Sequence, residues 1–279
     1  MPADKLLFYS VNLYLARPLM LQNGFTNISA IRMKYKIANV PGNTGEVQMV
    51  ASEDIQCGEL LIKEAPLVTV PNLPDEQYKL GGHAWDLVAA VADDHEIRKI
   101  FLGWNLKGSR TPFMPGDFPI QHLLSQKYRI EPDSVRSLFR TIATNNIGYH
   151  DENFQIGGFG LYRDLSRSNH SCLPNTMTYA APQNDFAKKL AGLVAIRDIE
   201  RGEAITWSYV GMHSSFLDAN YETRSNLLFD TFFFACHCDR CLVEMPQADL
   251  DHKIRNDKFW DAWCDRIEQM DPGRIQINR

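Results

Sequence analysis

Alternation and spacing by threes and fours divide the chain into regions before anything else is considered. From Met33 to Val70 the pattern is that of strands: Tyr35 to Ala38 reads as extended and Pro41-Gly42-Asn43-Thr44-Gly45 as a turn, after which Val47, Met49 and Ala51 alternate with polar residues. Leu87, Val88, Val91, Ile97, Ile100, Phe101 and Trp104 recur at helical spacing, and a Gly- and Pro-rich loop covers Lys107 to Pro119. A second helix is expected from Pro132, with Val135, Leu138, Phe139 and Ile142 on one face and a stop at Gly148. These stripes are read as core packing. Strands return at Thr176 to Tyr179, Leu190 to Ile196 and Ala204 to Tyr209. Glu222 to Phe234 reads as partly helical. Asp249 to Met270 closes the chain as an amphipathic helix with Phe259, Trp260, Trp263, Ile267 and Met270 on one face.

One short phrase occurs twice. Asp54-Ile55-Gln56-Cys57-Gly58-Glu59 precedes Leu60-Leu61-Ile62, and Asp198-Ile199-Glu200-Arg201-Gly202-Glu203 precedes Ala204-Ile205-Thr206. In each copy a glycine follows a turn and leads into a β-prone run, as a positive φ in a tight connection requires. Two similar β units therefore flank an insertion. The expected organisation is an extension over 1–30, a core over 31–70, a helical insertion over 71–148, a second core part over 149–225, a cysteine segment over 226–245 and a C-terminal helix over 246–279.

Composition narrows the class without deciding it. The 279 residues, 44% of them hydrophobic, suffice for one large core with appendages. No apolar run approaches the roughly 20 residues of a membrane span. The N-terminal stretch, broken by Asp4, Asn12 and Arg17, does not read as a signal peptide. A net charge of −5 argues against direct nucleic-acid binding and suits a basic protein or peptide partner.

The chemistry concentrates at Asn169-His170-Ser171-Cys172-Leu173-Pro174-Asn175. Pro174 keeps this run out of helix, and its polar side chains suit a site better than a connecting loop. Six cysteines in 279 residues form no disulfide scaffold, and Cys236, Cys238 and Cys241 fall within six positions. That spacing suits a metal in a reducing compartment, nucleus or cytoplasm. Structural zinc takes four ligands, so one is missing from the cluster. Cys172, His237, His170, Cys57 and Cys264 are the candidates. Cys172 is favoured because its loop shows other signs of specialisation, and the position of His237 inside the cluster makes it awkward.

Together these residues carry a resemblance. Asn169-His170-Ser171-Cys172-x-Pro174-Asn175, Gly202-Glu203-Ala204-Ile205-Thr206-x-Ser208-Tyr209 and Phe234-x-Cys236-x-Cys238-x-x-Cys241 resemble, in order and spacing, the motifs of SET-domain protein lysine methyltransferases with a post-SET zinc segment. Leu161-Tyr162, Ser166 and Thr144-Asn145-Asn146-Ile147-Gly148 place the chain nearest the fungal and SMYD-like branch. The insertion holds no cysteines, so that branch's MYND zinc finger is absent.

The resemblance implies a mainly β fold with a helical insertion (α+β), made of small β-sheets with a pseudoknot, a post-SET zinc segment and a C-terminal helix. It implies S-adenosylmethionine and Zn2+ as cofactors. It makes Tyr209 and His170 the catalytic residues. Asn145, Ser166, Asn169, His170, Phe234 and Gly45 become cofactor contacts, and Cys172, Cys236, Cys238 and Cys241 the zinc ligands. The family's cofactor hairpin usually carries GxG, whereas Gly42-Asn43-Thr44-Gly45-Glu46-Val47-Gln48 here puts Glu46 or Gln48 at the second glycine position. The expected activity is methyl transfer to a lysine of a histone tail or another basic protein. A small-molecule reaction through oxyanion or enolate stabilisation, motivated by that hairpin, and a catalytically silent binding module are the alternatives.

Overall fold

The computed structural model describes residues 33–40, 46–74, 77–80, 82–103, 115–151, 155–178, 188–211, 214–232 and 234–245. The N-terminal extension, Gly42 to Gly45 of the hairpin turn, Cys264 and the expected C-terminal helix lie outside these residues.

Among the described residues the strands form four small sheets. β1 (Tyr35–Asn39) and β2 (Val47–Ala51) make an antiparallel hairpin, closed toward its turn by Val40 N–H donating to Glu46 O at 2.9 Å. β3 (Leu60–Glu64) and β4 (Val68–Pro71) then diverge into different sheets. The insertion follows as α1 (His83–Asp93), α2 (His95–Leu102), α3 (Phe118–Tyr128) and α4 (Pro132–Asn145). Next come β5 (Asn146–His150) and β6 (Ile156–Leu161), then a helical turn over Leu165–Arg167. β7 (Asn169–His170), β8 (Thr176–Thr178), β9 (Ala191–Ala195) and β10 (Thr206–Trp207) complete the strands. α5 (Ser214–Leu217), α6 (Tyr221–Phe232) and α7 (Asp239–Glu244) lead to the end of the described chain. The sheet orders are β1-β2, β10-β7, β3-β9-β8 and β4-β6-β5. This is the expected α+β arrangement of small sheets.

Three predicted elements differ from those observed. The run from Leu87 to Phe101 is two helices rather than one, because Asp94 adopts an extended backbone and its carboxylate accepts the N–H groups of Glu96 and Ile97 at 2.9 and 3.0 Å; Trp104 lies outside the described residues. That cap starts a new helix. The Gly- and Pro-rich loop ends earlier than expected, since Pro119 sits in the first turn of α3, a position where its missing N–H costs nothing. The helix beginning at Pro132 ends at Asn145, and Gly148 is a β5 residue paired with Phe159.

Each half of the molecule has its own core. In the insertion, Trp85, Leu87, Val88 and Val91 of α1 pack with Val135, Leu138, Phe139 and Ile142 of α4 and with Phe159 and Leu161 of β6. Met49, Ile55, Leu61, Ile62, Leu193, Ile199 and Ile205 close the second core between the hairpin and the β3-β9-β8 sheet.

The repeated phrase forms a clasp. Ile55 and Ile199 exchange both backbone hydrogen bonds at 2.9 Å. Asp198 Oδ1 accepts from Cys57 N at 2.8 Å, and Asp54 Oδ1 accepts from Arg201 N at 2.9 Å, so each aspartate closes the other copy's turn. Gly58 and Gly202 take φ of 88° and 93°, the left-handed region that disfavours other residues. The two β units flanking the insertion are thus paired about an approximate twofold.

Candidate active site and four-cysteine cluster

The central motif is built on a parallel pair of two-residue strands. β7 lies beside β10 with Asn169 opposite Thr206 and His170 opposite Trp207, and Ser171 N–H donates to Trp207 O at 3.0 Å. Buried Asn175 clasps the same crossing: its Nδ2 donates to Ala204 O at 2.8 Å, and its Oδ1 accepts from Thr206 N at 2.8 Å. Thr176 Oγ1 adds a bond to Thr206 O at 2.8 Å. Both asparagines of the motif therefore have structural work, because Asn169 Nδ2 also donates to Val47 O of β2 at 3.3 Å. These contacts form the knot-like crossing, and Tyr209 leaves it directly.

Tyr209 is half-buried in an aromatic box. Its ring centroid lies 5.3 Å from His170, 5.3 Å from Trp207, 5.6 Å from Phe232 and 6.1 Å from Phe234. The hydroxyl donates to Ser168 O at 3.3 Å, an acceptor shared with Trp207 Nε1 at 3.1 Å. Burial pushes the Tyr209 hydroxyl above its ordinary range, so it stays protonated at neutral pH. The neighbouring Ser208 hydroxyl is buried with no hydrogen-bond partner among the described residues, a polar atom left for a bound group or water to satisfy.

Four sulfurs meet behind this box. Cys172, Cys236, Cys238 and Cys241 place their Sγ atoms within 4.8 Å of one another, with Cys172 3.8 Å from Cys236 and 3.5 Å from Cys241. Tetrahedral zinc with Zn–S bonds of about 2.3 Å needs sulfurs about 3.8 Å apart. The set fits. Contact with Cys172, then Cys236 and Cys241, pulls the Cys238 thiol down toward thiolate. Contact with Cys172, Cys238 and Cys241, with burial, pushes Cys236 up. A divalent cation allows all four to ionise together. Of the other candidate ligands, Cys57 and His237 are exposed, and His170 lies beside Cys172 without joining the sulfur cluster.

The family model described as SET domain matches residues 46–210, more than half of the sequence. The chain belongs to the SET domain family. A protein-lysine N-trimethyltransferase SMYD5 from Gallus gallus is 37% identical over 93 residues, 33% of this chain and 21% of that protein. An N-lysine methyltransferase SMYD2 from the same species is 27% identical over 157 residues, 54% of this chain and 33% of that protein. The chain thus spans about a fifth to a third of the length of these relatives. A crystal structure titled as the SET domain of LSMT bound to lysine and AdoHcy covers 75% of this chain and 54% of its own, at 10% identity and a TM-score of 0.41.

In this SET domain the other expected contacts fall into two groups, Ser166 with Asn145 and Phe234 with His170. Ser166 Oγ donates to Asn145 O at 2.9 Å, and buried Asn145 Nδ2 donates to Thr141 O at 2.7 Å. Glu64 sets that turn by accepting the N–H groups of Arg163, Asp164 and Leu165 at 2.6 to 3.2 Å. The Phe234 ring lies 5.8 Å from His170. Gly45 lies outside the described residues.

Sequence reasoning missed the shell around the sulfurs. The Arg224 side chain is wholly buried, pairs with Glu244 at 2.8 Å and reaches Cys241 Sγ at 3.9 Å. Arg240 donates to Leu217 O, to Cys172 O at 3.5 Å and to Glu244 at 2.7 Å. A buried guanidinium beside sulfurs is favourable when the sulfurs are anionic. The position of Arg240 between Cys238 and Cys241 was the available signal. Trp207 and Phe232 were also missed, since an aromatic reads as core until its neighbours are known.

Proposed function

We propose that this chain is an S-adenosylmethionine-dependent protein-lysine N-methyltransferase acting on a basic protein segment such as a histone tail. The observation that carries the reading is Tyr209, protonated and anchored on Ser168 O within an aromatic box that opens off the β7–β10 crossing. Membership of the SET domain family and the names of the SMYD relatives support it.

The donor set suits the cofactor. Asn145, Ser166, Asn169 and His170 offer amide, hydroxyl and carbonyl groups to a polar amino-acid and ribose portion, and Phe234 offers a ring face to adenine. When bound, S-adenosylmethionine supplies an electrophilic methyl on a sulfonium. The residues of the chain do the rest. Rings of Trp207, Tyr209, Phe232 and Phe234 exclude water, which favours the neutral lysine amine over its cation. The Tyr209 hydroxyl would accept a hydrogen bond from that amine and orient its lone pair toward the methyl group, the ammonium proton having gone to solvent beforehand. The Cys172 cluster holds zinc and fixes the wall that carries Phe234. A net charge of −5 favours a basic substrate, and free thiols in this spacing suit a reducing compartment such as nucleus or cytoplasm.

The test is incubation of purified chain with core histones and S-adenosylmethionine carrying a labelled methyl group, with S-adenosylmethionine affinity measured by calorimetry. Label on lysine, abolished in Tyr209→Phe, is the expected result. Tight cofactor binding with no label on any basic protein would overturn the protein-methylating reading.

A further inference from the structure

His170 stands between the two halves of the site, and each of its ring nitrogens is engaged. The backbone N–H of Tyr209 lies 3.1 Å from Nδ1. An amide N–H can only donate, so Nδ1 carries a lone pair and the proton of the neutral ring sits on Nε2. That Nε2 lies 3.4 Å from Cys172 Sγ, in range for an N–H to sulfur bond. Ring contacts with Tyr209, Phe216 and Phe234 at centroid distances of 5.3, 6.0 and 5.8 Å keep the imidazole from turning.

We infer that the His170 side chain is a positioning residue that ties the metal-binding sulfurs to the backbone of Tyr209. Nε2–H steadies the Cys172 thiolate, and Nδ1 fixes the main chain at the point from which the Tyr209 ring projects. Neither nitrogen remains for proton transfer with a substrate. This rests on the reading of the sulfur cluster as a zinc site and of Tyr209 as the residue at the reacting amine. The role is of the outer-shell kind, where loss of a partner weakens metal binding by about 10- to 100-fold.

Two readouts independent of turnover test it on the zinc-loaded full chain. Ring-nitrogen NMR of 15N-histidine-labelled protein should show His170 as the Nε2–H tautomer, with Nδ1 unprotonated. An Nδ1–H tautomer or a doubly protonated ring at neutral pH would overturn the inference. His170→Asn keeps an acceptor near the place of Nδ1 but cannot reach Cys172. Chelator competition should show it losing zinc at least about 10-fold more readily while the Tyr209 amide stays protected from hydrogen exchange. His170→Gln, without that acceptor, should lose the amide protection. Zinc retention equal to wild type in both variants would sink the link to Cys172, and unchanged amide protection in His170→Gln would sink the link to Tyr209. If either variant fails to fold, the NMR measurement on unaltered protein decides. A chain that shows the tautomer and zinc effects yet never methylates lysine leaves this inference standing and removes the proposed activity instead.

Discussion

The helical insertion and the cysteine segment solve the same problem in opposite ways. In the insertion, α1, α3 and α4 bury aliphatic and aromatic side chains from several helices and a sheet, so its order comes from area removed from water. Around α5 to α7, Cys172, Cys236 and Cys241 themselves make up half of the buried members of a small cluster, alongside Phe216, Tyr221 and Leu228. Partly buried Leu217, Leu227, Phe232 and Phe234 add to it, but the cluster has far fewer fully buried aliphatic and aromatic side chains than the insertion. The four sulfurs at its centre suit a metal ion, so the site wall bearing Phe234 is expected to lean on chemistry whereas the insertion depends on volume.

The sharpest way to break this contrast is to remove the ion. Stripping zinc with a chelator, or changing Cys172→Ser, should unfold the segment from α5 to α7, with a free energy on the order of the 10 kcal/mol seen for structural zinc in small domains. Hydrogen exchange should show Tyr221–Phe232 losing protection while α1 and α4 keep theirs. Equal loss in both regions would erase the distinction. Leu138→Ala reverses the experiment: a fully buried side chain of α4 is lost, costing about 2–5 kcal/mol in denaturant melts, with one zinc per chain still counted by native mass spectrometry. Tyr209→Phe touches neither support. It should lower kcat by about 100-fold, comparable to losing a general acid–base or orienting group, and change unfolding free energy by only about 1 kcal/mol for the bond to Ser168 O. Asp198→Ala, which strands the Cys57 amide, should cost about 1 kcal/mol, and Asp54→Ala the same amount if the two turns are equivalent. Smallest of all is Lys34→Ala. Its pair with Glu59 is about a third exposed, so a change of under about 0.5 kcal/mol that vanishes at high salt is expected.

Legibility in the sequence followed the length of the signal. Cys172 as partner of Cys236, Cys238 and Cys241 is readable because tetrahedral zinc demands a fourth ligand and its loop, unlike the turn at Cys57, gathers two asparagines and a histidine around the thiol. The paired turns at Gly58 and Gly202 were readable because only glycine takes those φ values at no steric cost. Strands such as β7 and β10, two residues each, carry no periodicity, and the expected strand from Ala204 to Tyr209 is in fact one bridge to Val50, a two-residue strand and a turn. α3 is hidden because Pro119 reads as a loop signal, whereas it marks a first turn. Trp207 and Phe232 are hidden for another reason: nothing local marks them as neighbours of Tyr209 and Phe234 until the chain crosses itself.

The clasp at Ile55 and Ile199 has a bearing on how such a chain changes over generations. Bonds between residues 141 and 147 positions apart pin both ends of everything hung between them. Within that span, helices α1 to α3 hang between β4 and the α4–β5 junction, so they can be lengthened, exchanged or deleted without re-aiming the tyrosine, whereas β7 and Cys172 lie inside the same gate and cannot. Diversity among descendants of this architecture should accumulate in the helices between β4 and α4 and stay scarce at the two hinge aspartates and the β7 crossing.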